Sequence, residues 1–245
     1  LTPAHKLVAF AHVSNVLGSV LDVRRAADLA HAVGARLLID GCQAAPRIAL
    51  DVQALDCDFY VFSAHKLYGP TGVGVIWARK DILDAMPPWH GGGAMIDRVT
   101  FEKTTYAPAP QRFEAGTPMI VEALGMAKAM DWLTEIGLDR AERHERELAA
   151  KLRDELGKRN DVTLFGPTDS VGIVSFALDG VHPHDLGTIL DEEGVAIRAG
   201  NHCAQPLMDS LGVPATARAS FGLYSDDSDI EALLKGIERT RRIFG

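Results

Sequence analysis

The sequence predicts an α/β protein, with a larger unit on a mainly parallel sheet and a smaller α+β unit after it. Three observations carry this. Short apolar runs such as Leu7-Val8-Ala9-Phe10-Ala11 and Leu37-Leu38-Ile39 alternate with stretches of helical spacing. Strand, helix, strand in that order forms parallel pairs through crossover helices. Of the 245 residues, 47% are hydrophobic, enough to fill a real core.

The elements follow in order. Residues 7–12 read as a buried strand, and residues 22–33 as a helix stopped at Gly34. Residues 36–39, 57–62 and 72–77 read as strands, and 81–86 as a short helix ended by Pro87-Pro88. His90-Gly91-Gly92-Gly93 opens a long polar loop that runs to about Thr117, a length usually reserved for function. Residues 120–136 and 139–158 read as two helices, the second highly charged and expected to be a solvated face. Gly137 parts them and marks the expected boundary between domains 1–136 and 137–245. Strands at 162–165 and 172–178, a helix at 183–193, strands at 195–198 and 217–221, and a helix at 226–244 complete the pattern. His182-Pro183-His184-Asp185 reads as a helix cap rather than a metal site. A buried parallel strand needs neighbours on both faces, yet the pattern opens on one. The expectation is therefore that an N-terminal part of the large domain is missing.

Composition removes several functions. A net charge of −8 argues against a general nucleic-acid binder. No apolar run has the length of a membrane-spanning helix, and the start lacks a signal-peptide layout. Three widely spaced cysteines, Cys42, Cys57 and Cys203, read as reduced thiols of a cytoplasmic protein.

Two polar clusters end apolar runs: Asp40-Gly41-Cys42-Gln43, and Ser63-Ala64-His65-Lys66. Ligands of parallel sheets lie outside the carboxyl ends of strands, where both clusters stand. A lysine and an acid there suit pyridoxal 5'-phosphate, which needs an amine for its aldehyde and a carboxylate for its ring nitrogen. Lys66, after the apolar run 59–62, is placed for burial to tune its amine. Gln43 is a donor for the phenolic oxygen, and Ser63 and His65 are donors for the phosphate. Singly, each has a plainer account, such as an exposed charge or a helix cap; together and in this order they favour the coenzyme.

With these residues in view, the chain resembles class V, fold-type I pyridoxal phosphate enzymes. The resemblance rests on 12–18, Asp40-Gly41-Cys42-Gln43, 59–70 and Arg198-Ala199-Gly200-Asn201-His202-Cys203-Ala204. More narrowly it is similar to the group II, Suf-type cysteine desulfurases, which overlap with selenocysteine lyases. The resemblance implies Lys66 as the Schiff-base lysine, with His65 beside it in the catalytic group. It implies Asp40, Gln43, Ser63, His65, Asn15 and Thr117 around the coenzyme, Thr117 reaching the partner subunit of a homodimer. Arg218, with Asn15, would bind the substrate carboxylate. Ala64 stands where glycine is frequent, and Asn201 where a second histidine is frequent.

Cys203 narrows the chemistry. A thiol attacks as thiolate, and Arg198 and His202 are the expected cations beside it. The implied reaction converts L-cysteine to L-alanine and leaves a persulfide on Cys203, for a Suf-type acceptor and iron–sulfur cluster assembly. Selenocysteine lyase is the nearest alternative, and a truncated, non-catalytic binding or dimerisation module is the alternative of another class. Cys42 is expected to pack near the coenzyme, and Cys57 to lead into a strand.

Overall fold

The computed structural model describes residues 1–245. By contacts the chain forms two compact units, the first of residues 1–12, 22–46 and 50–135, the second of 13–21, 47–49 and 136–245.

In the first unit, β1 (Leu7–Ala11) leads to α1 (Val23–His31) and back to β2 (Arg36–Asp40), which lies parallel to β1 with Ala11 opposite Asp40. Helix α1 begins where Asp22 accepts a hydrogen bond from Arg25 N, and it buries Val23, Ala26, Ala27 and Ala30 on one stripe. The short α2 (Val52–Leu55), capped by Asp51, precedes β3 (Phe59–Ser63). β3 adds parallel to β2, with Asp40 opposite Val61. β4 (Gly74–Ala78) then turns back antiparallel, giving the order β1-β2-β3-β4. Three parallel strands and one antiparallel edge agree with the mainly parallel sheet read from the sequence.

After α3 (Lys80–Ala85), the expected long loop is partly ordered into a hairpin, β5 (Ile96–Val99) and β6 (Thr104–Tyr106). Its turn hides from sequence because no glycine marks it. Thr100 Oγ1 accepts from Glu102 N and Lys103 N and closes the turn instead. The segment ends at α4 (Ile120–Ile136).

Gly137, at φ +93°, links α4 to α5 (Leu138–Gly157). The second unit continues with β7 (Val162–Phe165), β8 (Ile173–Leu178), α6 (Pro183–Glu192) and β9 (Arg198–Gly200). It closes with α7 (Gln205–Leu211), β10 (Thr216–Ser220) and α8 (Asp227–Phe244). The sheet is antiparallel, ordered β7-β8-β10-β9. Leu152 and Leu156 of α5, Phe176 of β8, Leu190 of α6 and Ile237 of α8 meet in its core. Each such side chain contributes about 1.5–3 kcal/mol by leaving water. His182 caps α6, accepting from His184 N at 3.3 Å, as the sequence suggested.

Four expectations change. β1 is not a buried strand: it lies at the sheet edge, and of Leu7–Ala11 only Val8 is buried. The apolar residues Val195 and Ile197 pack against the core instead of entering the sheet, so β9 starts only at Arg198. Helix α5 is not simply a solvated face: Glu145 is fully buried and pairs with Arg47 at 2.6 Å. The segments 13–21 and 47–49 belong with the second unit, not the first. Ser175 Oγ donates to Val16 O at 2.6 Å, and Val171 N to Gly18 O at 3.0 Å, which holds the earlier of them there.

Candidate active site

In the first unit, β2 ends at Asp40 and β3 at Ser63, at the carboxyl ends of neighbouring parallel strands. Gly41 N donates to Val61 O at 2.7 Å, and Cys42 N donates to Asp40 Oδ1 at 2.8 Å, so the turn itself aims the carboxylate. Gly41 is required here, because a Cβ would run into the ring of Tyr60. That ring is buried, and its hydroxyl lies 2.9 Å from Nδ1 of buried His12. Burial pushes the His12 imidazole down and the Tyr60 phenol up, so both stay neutral and act as a support beneath the turn.

Lys66 closes a single 3-10 turn, Ala64–Lys66, after β3. Leu67 N and Gly69 N both donate to Ala64 O, which fixes the turn. Ala64, buried, fits without a left-handed backbone. His65 and Lys66 are exposed; the expected burial of Lys66 is not provided by these residues, because the lysine lies one turn beyond the strand end. The half-buried thiol of Cys42 lies 3.6 Å from Ser63 Oγ. Burial and the Asp40 carboxylate push that thiol up, while Ser63 and the Lys66 ammonium pull it back. Gln43 is half-buried in the same turn, and Thr117 is exposed shortly before α4. A carboxylate, a primary amine, a hydroxyl, an imidazole and an amide thus stand at two neighbouring strand ends.

The second unit holds Asn15, Arg198, His202, Cys203 and Arg218. Cross-strand pairing sets Arg198 of β9 directly opposite Arg218 of β10, so both guanidiniums share one face. Arg218 Nη1 donates to Asn15 O at 2.7 Å, while its buried Nε has no partner. Burial, then the Arg198 and Arg47 cations, hold the Arg218 guanidinium below its usual value. Asn15 Nδ2 donates to His202 O at 2.8 Å. Cys203 is exposed, and Arg198 Nη2 approaches its Sγ at 3.4 Å.

Arg198 is thus the cation beside the thiol, as expected, but His202 is not. Its ring is buried and turned away to Thr216, and burial with the Arg218 and Arg198 charges pushes it down to about 4. Sequence reasoning gave no role to Tyr60 or Thr216. Tyr60 could have been found as the large side chain requiring a glycine on the next strand; Thr216 carries no signal.

The model of the aminotransferase class-V family matches residues 1–233. The chain belongs to this family. A probable cysteine desulfurase of Halalkalibacterium halodurans is 50% identical over 98% of the chain. The crystal structure of the cysteine desulfurase CsdA (S-sulfonic acid) from Escherichia coli matches with a TM-score of 0.96 and 42% identity, covering 100% of this class-V chain and 61% of that one. The apo cysteine desulfurase from Thermococcus onnurineus matches at 0.90 and 38%, over 97% and 60% of the two chains. The chain spans 59% of the length of the Halalkalibacterium relative. The fold of this class-V member is therefore that of the solved cysteine desulfurases over the part it shares. None of its helices is long and apolar enough to cross a membrane.

Proposed function

We propose that the protein is a pyridoxal phosphate-dependent cysteine desulfurase, converting L-cysteine to L-alanine with transfer of the sulfur to Cys203. The observation that carries the reading is the arginine pair. Two guanidiniums opposite each other on neighbouring strands repel unless an anion lies between them, and a thiol stands 3.4 Å from one of them. That is a place for a small carboxylate whose sulfur is to meet a cysteine. The 50% identical relative named a probable cysteine desulfurase supports the same reading.

Asp40 would hold the proton of the ring nitrogen, Gln43 the phenolic oxygen, and Ser63 and His65 the phosphate. When bound, the coenzyme supplies a ring that takes up the electron pair released at the substrate Cα. Lys66 Nζ would accept the Cα proton and later return it to Cα, while the proton released by the substrate thiol would end on Cβ. Arg218 would clamp the substrate carboxylate, with Asn15 holding the guanidinium by its carbonyl. Cys203 Sγ, as thiolate beside Arg198, would attack the substrate sulfur. The new S–S bond forms as the Cβ–S bond breaks; the three-carbon fragment leaves as L-alanine, and the protein keeps the sulfur as a persulfide. Alignment by the arginine clamp makes that attack effectively intramolecular.

Thr117 would reach the phosphate held by a partner subunit, and exposed Ile120, Val121 and Leu124 on α4 favour a homodimer. The persulfide would pass to a sulfur-acceptor protein for iron–sulfur cluster assembly. Three free cysteines suit the cytoplasm. The test is Cys203→Ala with L-cysteine and pyridoxal phosphate. The coenzyme's visible absorbance should persist, with persulfide and alanine production lost. Undiminished alanine release would remove the reading.

A further inference from the structure

The cysteine loop is held in a conformation that its own residues disfavour. His202 and Cys203 are successive non-glycine residues in the left-handed region, at φ 55° and 61°. Such a backbone is disfavoured for residues other than glycine and persists where the surroundings impose it. Something must therefore hold this loop from outside.

The candidate hold is the His202 side chain. Its backbone leaves the sheet two residues after Gly200, the last residue of β9, which pairs with Thr216. The ring then folds back, 1% exposed, onto that same Thr216. Nε2 lies 3.1 Å from the Thr216 carbonyl and 2.9 Å from its Oγ1. A carbonyl only accepts, so Nε2 carries the ring proton and donates it. Nδ1 is buried without a partner. Burial, together with the Arg218 and Arg198 cations, opposes a second proton and keeps the ring neutral. Two weaker ties flank it: Asn15 Nδ2 holds the His202 carbonyl, and Asn201 Oδ1 accepts from Cys203 N at 3.1 Å.

We propose that His202 is a positioning residue: its Nε2–H bond to Thr216 clips the loop to the end of β10 and imposes the left-handed turn that carries Cys203 out beside Arg198. The role rests on the desulfurase reading for its purpose, but not for its test. The ring neither touches substrate nor moves a proton. It converts a buried hydrogen bond into the direction of the adjacent thiol.

Three variants separate the bond from the backbone. Gln at 202 places its Nε2 where the imidazole Nε2 lies and can still donate to Thr216. Asn at 202 tolerates the left-handed region better but is too short to reach. Amide hydrogen exchange in the chain, without substrate or coenzyme, reads the loop directly. In His202→Ala and His202→Asn the amides of residues 201–204 should exchange at least tenfold faster, with residues 174–176 of β8 unchanged; in His202→Gln they should stay within threefold of the parent. Equal acceleration across the whole unit, no acceleration in His202→Ala, or protection in His202→Asn equal to that in His202→Gln would each overturn the proposal. A measurement on the unsubstituted chain covers the case in which a variant fails to fold. Imidazole nitrogen NMR should show the Nε2–H tautomer of His202 without titration between pH 8 and 5. A His202 that titrates in that window would also overturn it. Because no turnover is measured, loss of the desulfurase reading would leave these outcomes readable.

Discussion

The strand-end cluster of the first unit and the cysteine loop of the second solve opposite problems. Asp40, Ser63 and Lys66 stand on the last residues of regular strands or one turn beyond, and backbone ladders aim them. Cys203 stands on a loop with no ladder of its own, and buried side chains, His202 and Thr216, do the aiming. A rigid coenzyme needs donors at fixed separations, which parallel strands provide. Under the proposed function, a thiol that collects an atom and passes it on would need a loop with few, releasable ties.

The sharpest way to break this contrast is Lys66→Ala. It should abolish the covalent link between the chain and the coenzyme, read as loss of the coenzyme fixed to the protein by borohydride, whereas changes confined to the cysteine loop should leave it. Coenzyme still fixed to the chain in Lys66→Ala would mean the strand-end amine is not the attachment point.

Both units also hold a buried carboxylate, and these should differ in size of effect. Glu145 faces Arg47 across 2.6 Å, with Gly172 so close that a Cβ there would strike the carboxylate. Glu145→Ala leaves Arg47 buried without that charge and should cost about 3–5 kcal/mol, read as a lower urea midpoint. In the first unit, Asp58 is 1% exposed and bound by Leu37 N, His31 and Arg36. Burial alone would raise its pKa, but these three partners together outweigh burial and hold it below the ordinary 3.8. A depressed folded-state value stabilises above the unfolded value and is lost as pH falls through the folded one, so this contribution drains away below about pH 4. Asp58→Asn should flatten that acid limb in urea titrations. The smallest effect is expected at Asn201. Asn201→Ala removes one exposed turn hydrogen bond to Cys203 N, about 0.5–1.5 kcal/mol, and should loosen the loop without lowering the midpoint of the β8 core.

The same contrast decides what the sequence could reveal. Strand ends are legible because apolar runs stop there and polar residues begin; Asp40 and Ser63 stand at such ends, and the helical stretch read at 120–136 matches α4. Asp22 and Asp226, read as first helical residues, are instead the caps that precede α1 and α8. What was lost depends on contacts distant along the chain. His202 reads as a cation beside a cysteine until its ring is seen on Thr216, fourteen positions away. Glu145 reads as one more charge on a charged helix until Arg47 is found against it. Val195 and Ile197 look like a strand because packing and pairing select the same residue types.

The facing guanidiniums of Arg198 and Arg218 carry one more consequence. Under the proposed reading, a bound carboxylate would relieve that repulsion, and a thiol compound without an acid group, such as cysteamine, would leave the two cations uncompensated. Such discrimination would weaken as added salt shields the cations.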